Sequence, residues 1–118
     1  MTMKREGRVL VVEENPVVAR AIEAAGNQVT SASDGWEAIE LLETGDYSAI
    51  MIDTDIPRHS GYGVLTYLRE EVGEDTLSNV IVMTSSDRDE VRRKVSGNLT
   101  IVSKDDAVAE LTRFMGRE

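Results

Sequence analysis

The sequence predicts an α/β domain: a doubly wound, five-stranded parallel sheet with helices on both faces. Short, continuous apolar runs recur along the chain, as expected of strands covered on both faces. Segments with helically spaced apolar residues lie between them. The two kinds alternate strictly through five βα units, a pattern that forces parallel strands joined by crossover helices.

The first strand is Val9 to Val12, stopping at Glu13 and Glu14. Asn15 and Pro16 then open a helix over Pro16–Ala25, with Asn15 as N-cap and Pro16 at the first position. Gly26 and Asn27 form its left-handed stop. Gln28 to Ala32 is a weaker second strand. Ser33, Asp34 and Gly35 turn the chain into a helix carrying Trp36, Ile39 and Leu42, which stops at Gly45. Ala49 to Ile52 is the third strand and runs into Asp53. A helix is expected over Gly61–Val72, with Val64, Leu65 and Leu68 on one face. Val80 to Met83 is the fourth strand, ending at Thr84 and Ser85. A charged helix follows over Asp87–Val95, capped by Ser86 or Asp87. Leu99 to Val102 is the fifth strand, and Asp106–Met115 the closing helix. The chain is expected to be one domain over 1–118, with its core at about 7–116.

At 118 residues the chain is near the commonest domain size, and can bury roughly two-thirds of its unfolded surface without disulfide or metal support. It has no cysteine and one histidine, which excludes thiol catalysis, iron–sulfur clusters and the usual structural zinc. A net charge of −9 repels phosphate backbones and anionic lipids, so neither direct nucleic-acid binding nor membrane insertion is expected. The apolar runs are too short to span a bilayer, and no signal-peptide stretch opens the chain. A cytoplasmic setting is expected.

Ligands of such sheets bind outside the carboxyl ends of the strands. Glu13 and Glu14, Asp53, Thr84 with Ser85, and Ser103 with Lys104 stand at four of the five ends. With those strands adjacent, three carboxylates, a hydroxyl and an ammonium converge. Two carboxylates about 4 Å apart repel by roughly 4 kcal/mol at an effective dielectric near 20, so the pocket is expected to hold a cation. Oxygen ligands with a phosphate-like partner favour Mg²⁺. A carboxylate beside Mg²⁺ can attack phosphorus, and Lys104 and Thr84 can meet the transferring oxygens. The set suits phosphoryl transfer onto Asp53.

The stretch Ile50 to Gly61, with Asp53, Ile56, Pro57 and Gly61, resembles the Asp-x-x-Met-Pro-x-x-x-Gly signature of receiver domains of two-component response regulators, with Ile56 for Met. The resemblance covers residues 7 to 116 and implies the flavodoxin-like receiver fold with strand order 2-1-3-4-5. By it Asp53 is the phosphoacceptor, Thr84 the switch hydroxyl and Lys104 the phosphate contact. Glu14, Asp53 and the Asp55 backbone carbonyl become Mg²⁺ ligands, with Glu13 acting through water. Pro57 and Gly61 shape the loop into the third helix. The donor implied is a sensor histidine kinase or a phosphotransfer protein. A downstream protein partner would meet the face of the fourth and fifth helices. No enzymatic turnover is expected beyond self-phosphorylation and autodephosphorylation at Asp53.

Some positions depart from the family pattern. Glu14 replaces the usual Asp, Ile101 the aromatic three residues before the lysine, and Asp105 the proline after it. The first helix is about one turn shorter. These departures favour an alternative, a phosphorylation-independent interaction module on the same fold. A haloacid-dehalogenase-type phosphatase, suggested by Asp53 and Asp55, conflicts with chain order, because its nucleophile stands on the first strand and its acidic pair follows the lysine. A flavin-binding reading lacks a phosphate loop and aromatics. His59 is expected to be a loop residue. Trp36 is read as partial packing or a partner contact, and the charged run 88–94 as a solvated helix face with i,i+4 pairs.

Overall fold

The computed structural model describes residues 8–56, 60–95 and 99–116. Five strands, β1 (Arg8–Val12), β2 (Gln28–Ala32), β3 (Ala49–Asp53), β4 (Val80–Thr84) and β5 (Thr100–Ser103), form one parallel sheet in the order β2-β1-β3-β4-β5. The helices are α1 (Val17–Ala24), α2 (Gly35–Thr44), α3 (Gly61–Tyr67), α4 (Arg88–Lys94) and α5 (Ala107–Gly116). The predicted fold class and strand order are both observed, and so is the short first helix, eight residues long.

Alternation along the strands builds two cores. Leu10, Val12, Ile50, Ile52, Val80, Val82 and Ile101 pack with Ala38 of α2, Val64 and Leu65 of α3, and Val91 of α4. Their neighbours Val9, Val11, Met51, Ile81, Met83 and Val102 pack with Ala19 and Ile22 of α1 and Ala107 and Leu111 of α5. Successive side chains of a strand point to opposite faces, so an unbroken apolar run supplies both layers. This is why β1, β3 and β4 show no polar alternation. The edge strand β2 is half-exposed and reads as weaker.

The punctuation follows local chemistry. The expected Asn15 cap is not formed: Pro16 is the N-cap of α1 and the helix starts at Val17, while the Asn15 carboxamide oxygen accepts from the Val17 N–H at 3.0 Å in the turn before it. At its other end Gly26 takes φ 104°, its N–H reaches the Glu23 carbonyl at 3.0 Å, and the Asn27 N–H reaches Ile22 at 3.4 Å. That is a Schellman stop, open to glycine because its φ is positive. Asp34 caps α2 by accepting from Glu37 N–H at 2.9 Å, and Glu37 returns a bond to the Ser33 N–H at 2.8 Å. Asp87, rather than Ser86, caps α4.

The third helix differs from expectation. The α-helix ends at Tyr67, and Leu68–Val72 continues as a π-turn closed by the Gly73 N–H on the Leu68 carbonyl at 2.9 Å. A 3₁₀ stretch, Glu74–Asn79, which has no apolar periodicity to announce it, then leads into β4. Another 3₁₀ turn, Lys104–Asp106, precedes α5, so that helix starts one residue later than predicted. Pro57 and His59 lie outside the described residues.

Candidate functional site

β1 and β3 pair with Val12 opposite Ile52, so the residues that follow, Glu13 and Asp53, come side by side at the carboxyl edge. The sheet's order reverses here, with β1 between β2 and β3, and this is where a crevice opens in such folds. The Glu13 N–H still bonds to the Ala32 carbonyl at 2.9 Å, which carries the ladder one residue beyond β1. Both carboxylates are buried, Glu13 at 6% and Asp53 at 2% exposure.

Two buried carboxylates require a counter-charge, and Lys104 provides it. Its Nζ lies 2.9 Å from Asp53 Oδ2 and 3.0 Å from Glu13 Oε1. Lys104 enters beyond β5, two strands from β3, a separation of about 10 Å at ordinary strand spacing. Only a long cationic side chain bridges that span. Partial burial pulls the Lys104 ammonium down, but its contacts with Asp53 and Glu13 and their negative charges push it up more, and the net shift is upward from 10.5.

The remaining oxygens have separate duties. Asp53 Oδ1 accepts from the Asp55 N–H at 3.0 Å, and Glu13 Oε2 from the Asn15 N–H at 2.9 Å. Glu13 Oε1 is buried against the Lys104 ammonium at 3.0 Å, and a carboxylate has about four lone-pair sites, so some remain for a further cation or a water. Thr84 ends β4 fully buried. Its hydroxyl oxygen accepts from the Ser86 N–H at 2.8 Å, which leaves its proton free to donate. The Thr54 N–H ties the loop after β3 to the Met83 carbonyl at 3.2 Å. Gly61 packs directly on this loop, where a Cβ would meet the Thr54 Cα at 2.9 Å.

Thus Glu13, Asp53 and Lys104 come together, with Thr84 at the neighbouring strand end. Glu14 is exposed, so two carboxylates rather than three are buried in the pocket. Among the described residues no group of three or more His, Asp or Glu side chains is arranged to hold a metal. The donors present still suit Mg²⁺. They are all oxygen, they leave a net negative charge beside one ammonium, and a buried carboxylate oxygen has lone pairs to spare. Mg²⁺ needs only one or two carboxylates and keeps its waters. Asp55 and Asp105 are exposed, whereas Ile56 and Ile101 are buried in the core.

Strand alternation carried a signal for this grouping. Glu13, Asp53 and Lys104 continue the parity of Val11, Met51 and Val102, which face α1 and α5. Glu14 has the parity of Val12. The close approach of Gly61 to Asp53 had no such signal, since it depends on how α3 docks.

The family model described as response regulator receiver domain matches residues 9–114. The chain belongs to this family. YkoG of Bacillus subtilis, an uncharacterized transcriptional regulatory protein, is 33% identical over 96 residues, covering 78% of the chain and 40% of YkoG. The first curated relatives are matched over only 27% to 40% of their own length. The receiver domain of the sensor histidine kinase PA1611 from Pseudomonas aeruginosa, solved with magnesium in its active-site cleft, is 30% identical with a TM-score of 0.73, covering 94% of this receiver and 95% of that chain. A Francisella response regulator receiver, 24% identical with a TM-score of 0.76 and coverage of 94% and 98%, shares the fold. No helix among the described residues of the receiver is long and apolar enough to cross a membrane.

Proposed function

We propose that this receiver accepts a phosphoryl group on Asp53 with Mg²⁺ and thereby switches a protein–protein contact in two-component signalling. The observation that carries the reading is the Asp53 carboxylate, buried at a strand end with Oδ2 on the Lys104 ammonium at 2.9 Å and Oδ1 on the Asp55 N–H at 3.0 Å. An Asp53 oxygen attacks phosphorus and forms the new O–P bond. The donor's bond to phosphorus breaks, and its electron pair leaves with the donor group. In this reading Lys104 meets a phosphoryl oxygen and the Thr84 hydroxyl donates to another. Glu13, Glu14, Asp53 and the Asp55 carbonyl are the residues that would hold Mg²⁺, which when bound neutralises charge on the phosphoryl oxygens.

A histidine kinase or phosphotransfer protein is the donor this reading implies, with a downstream protein on the face of α4 and α5. The absence of cysteine agrees with a reducing cytoplasm, and the net charge of −9 with protein rather than nucleic-acid partners. Intact mass after incubation with Mg²⁺ and acetyl phosphate tests the reading. A Mg²⁺-dependent gain of one phosphoryl group is expected in the wild type and none in Asp53→Asn. Uptake by the variant would remove Asp53 from its role.

A second reading, a phosphorylation-independent interaction module, is favoured by the Lys104 bridge, which offsets the buried charge without a metal, and by the exposure of Glu14. Folded protein that neither gains mass nor binds Mg²⁺ would support it.

A further inference from the structure

At the amino-terminal edge of the sheet, about 13 Å back along β3 from Asp53, a cavity of about 270 Å³ opens between the end of α2, the start of β3 and the π-turn. Ile50 and Leu68 are buried and form its apolar floor, flanked by Leu42 and Val72. Val72, at the end of the π-turn, is 51% exposed, a large apolar side chain that the fold leaves in water at the mouth. Asp46, Thr76 and Asn79 add a carboxylate, a hydroxyl and a carboxamide, all able to accept hydrogen bonds. Among the described residues none of these three side chains has a hydrogen-bond or ion-pair partner. Two cations nearby are turned to other contacts. The Arg8 guanidinium lies over the Tyr47 ring, 5.4 Å from its centroid, and Arg69 of the π-turn lines a separate groove beside Lys94. Glu43, in the last turn of α2, and Glu71 of the π-turn both act on the Tyr67 phenol, so carboxylates of the two framing elements gather beside the residue that precedes Leu68.

We propose that this cavity receives an arginine side chain of a partner protein, with the guanidinium on Asp46, Thr76 and Asn79 and the methylenes against Leu42, Ile50 and Val72. A guanidinium presents five N–H donors in one plane and accepts nothing, which matches a mouth furnished with acceptors. Its three-carbon stem covers apolar surface, as the floor requires. Tyr47, also in the lining, offers an aromatic ring that already attracts Arg8. A lysine ammonium has fewer donors and a more strongly hydrated charge, so it is the weaker occupant. The net charge of −9 draws a basic segment toward the domain, and the cavity fixes where its side chain lands. The site lies at the opposite end of the strands from Asp53, so docking here does not rest on phosphorylation.

The test is a titration of the ¹⁵N-labelled full chain with the peptide acetyl-Gly-Leu-Arg-Leu-Gly-amide, followed by amide chemical shifts, in about 0.15 M salt so that charges beyond about 8 Å are screened. Saturable shifts are expected at Asp46, Tyr47, Thr76 and Asn79, and none with the peptide in which Gln replaces Arg. Asp46→Asn is expected to weaken binding about fivefold or more, as loss of a charge partner does. Glu23→Gln, the same charge change at an exposed position on α1, is expected to leave affinity within about twofold. Four results would overturn the proposal: no saturable shift, shifts spread evenly over the surface, equal weakening by Glu23→Gln, or binding as tight when Lys replaces Arg in the peptide.

Discussion

Gly61 stands so close to Asp53 that a Cβ on it would lie 2.3 Å from the Asp53 backbone oxygen. The start of α3 is thereby pressed onto the end of β3, with Ser60 capping the helix through the Gly63 N–H at 3.3 Å. Both atoms nearest the missing Cβ belong to backbone, which cannot swing aside as a side chain can.

Gly61→Ala is therefore expected to destabilise the domain by about 1–3 kcal/mol, the usual cost of overpacking. Urea unfolding reads this as a lowered midpoint with an unchanged slope. Gly26→Ala serves as the contrast. That Cβ would meet nothing within 4 Å, and its cost comes from φ 104° alone, on the order of 1 kcal/mol. An unchanged midpoint in Gly61→Ala would show that the α3 start can move away from β3.

Lys104→Met removes the ammonium that touches both buried carboxylates. The two oxygens share one nitrogen, so they lie within about 6 Å and repel by on the order of 3 kcal/mol at an effective dielectric near 20. A loss of about 2–3 kcal/mol at neutral pH is expected, since breaking one side of a buried ionic cluster leaves uncompensated charge. Adding Glu13→Gln to that variant should recover part of the loss. If the double variant is less stable than Lys104→Met, charge repulsion is not the cause.

Alkaline pH acts through the same lysine. Its folded pKa is raised from 10.5, so near and above that pH the folded state binds more protons than the unfolded one. Stability then falls as pH rises. The contribution is complete below the unfolded value and is lost through the folded one. Tyr67 is also raised from 10.0, by burial first and then by Glu43 and Glu71, and its neutral phenol weakens the fold in the same direction on deprotonation. Urea midpoints measured from about pH 9 to about pH 12 should fall less steeply in Lys104→Met and in Tyr67→Phe than in the wild type. Identical slopes would dissociate both groups from the alkaline limb.

Mg²⁺ is expected to raise the melting temperature. At a concentration one hundred times its dissociation constant it adds about 2.7 kcal/mol, or roughly 10 °C for a domain this size. Glu13→Gln should remove most of that rise, because Glu13 offers the buried oxygen with lone pairs to spare. A larger loss in Glu14→Gln would make the exposed carboxylate the principal ligand.

The sequence by itself determined the sheet, its helices and most of their ends. Strand runs of buried residues, the Asp87 cap and the Gly26 stop are local: each depends on the residues within a turn or two. Strand-end chemistry was legible too, because βα alternation places Glu13, Asp53, Thr84 and Lys104 on one edge before any coordinate is known. Tertiary structure decided the rest. Adjacent glutamates are chemically equal, and only pairing of β1 with β3 and parity at the strand end bury Glu13 while Glu14 is exposed. The Lys104 bridge spans three separate strand ends, and the Gly61 contact depends on the docking of a helix against a strand. Neither can be read locally, because such contacts form only when packing brings distant residues within a few ångströms.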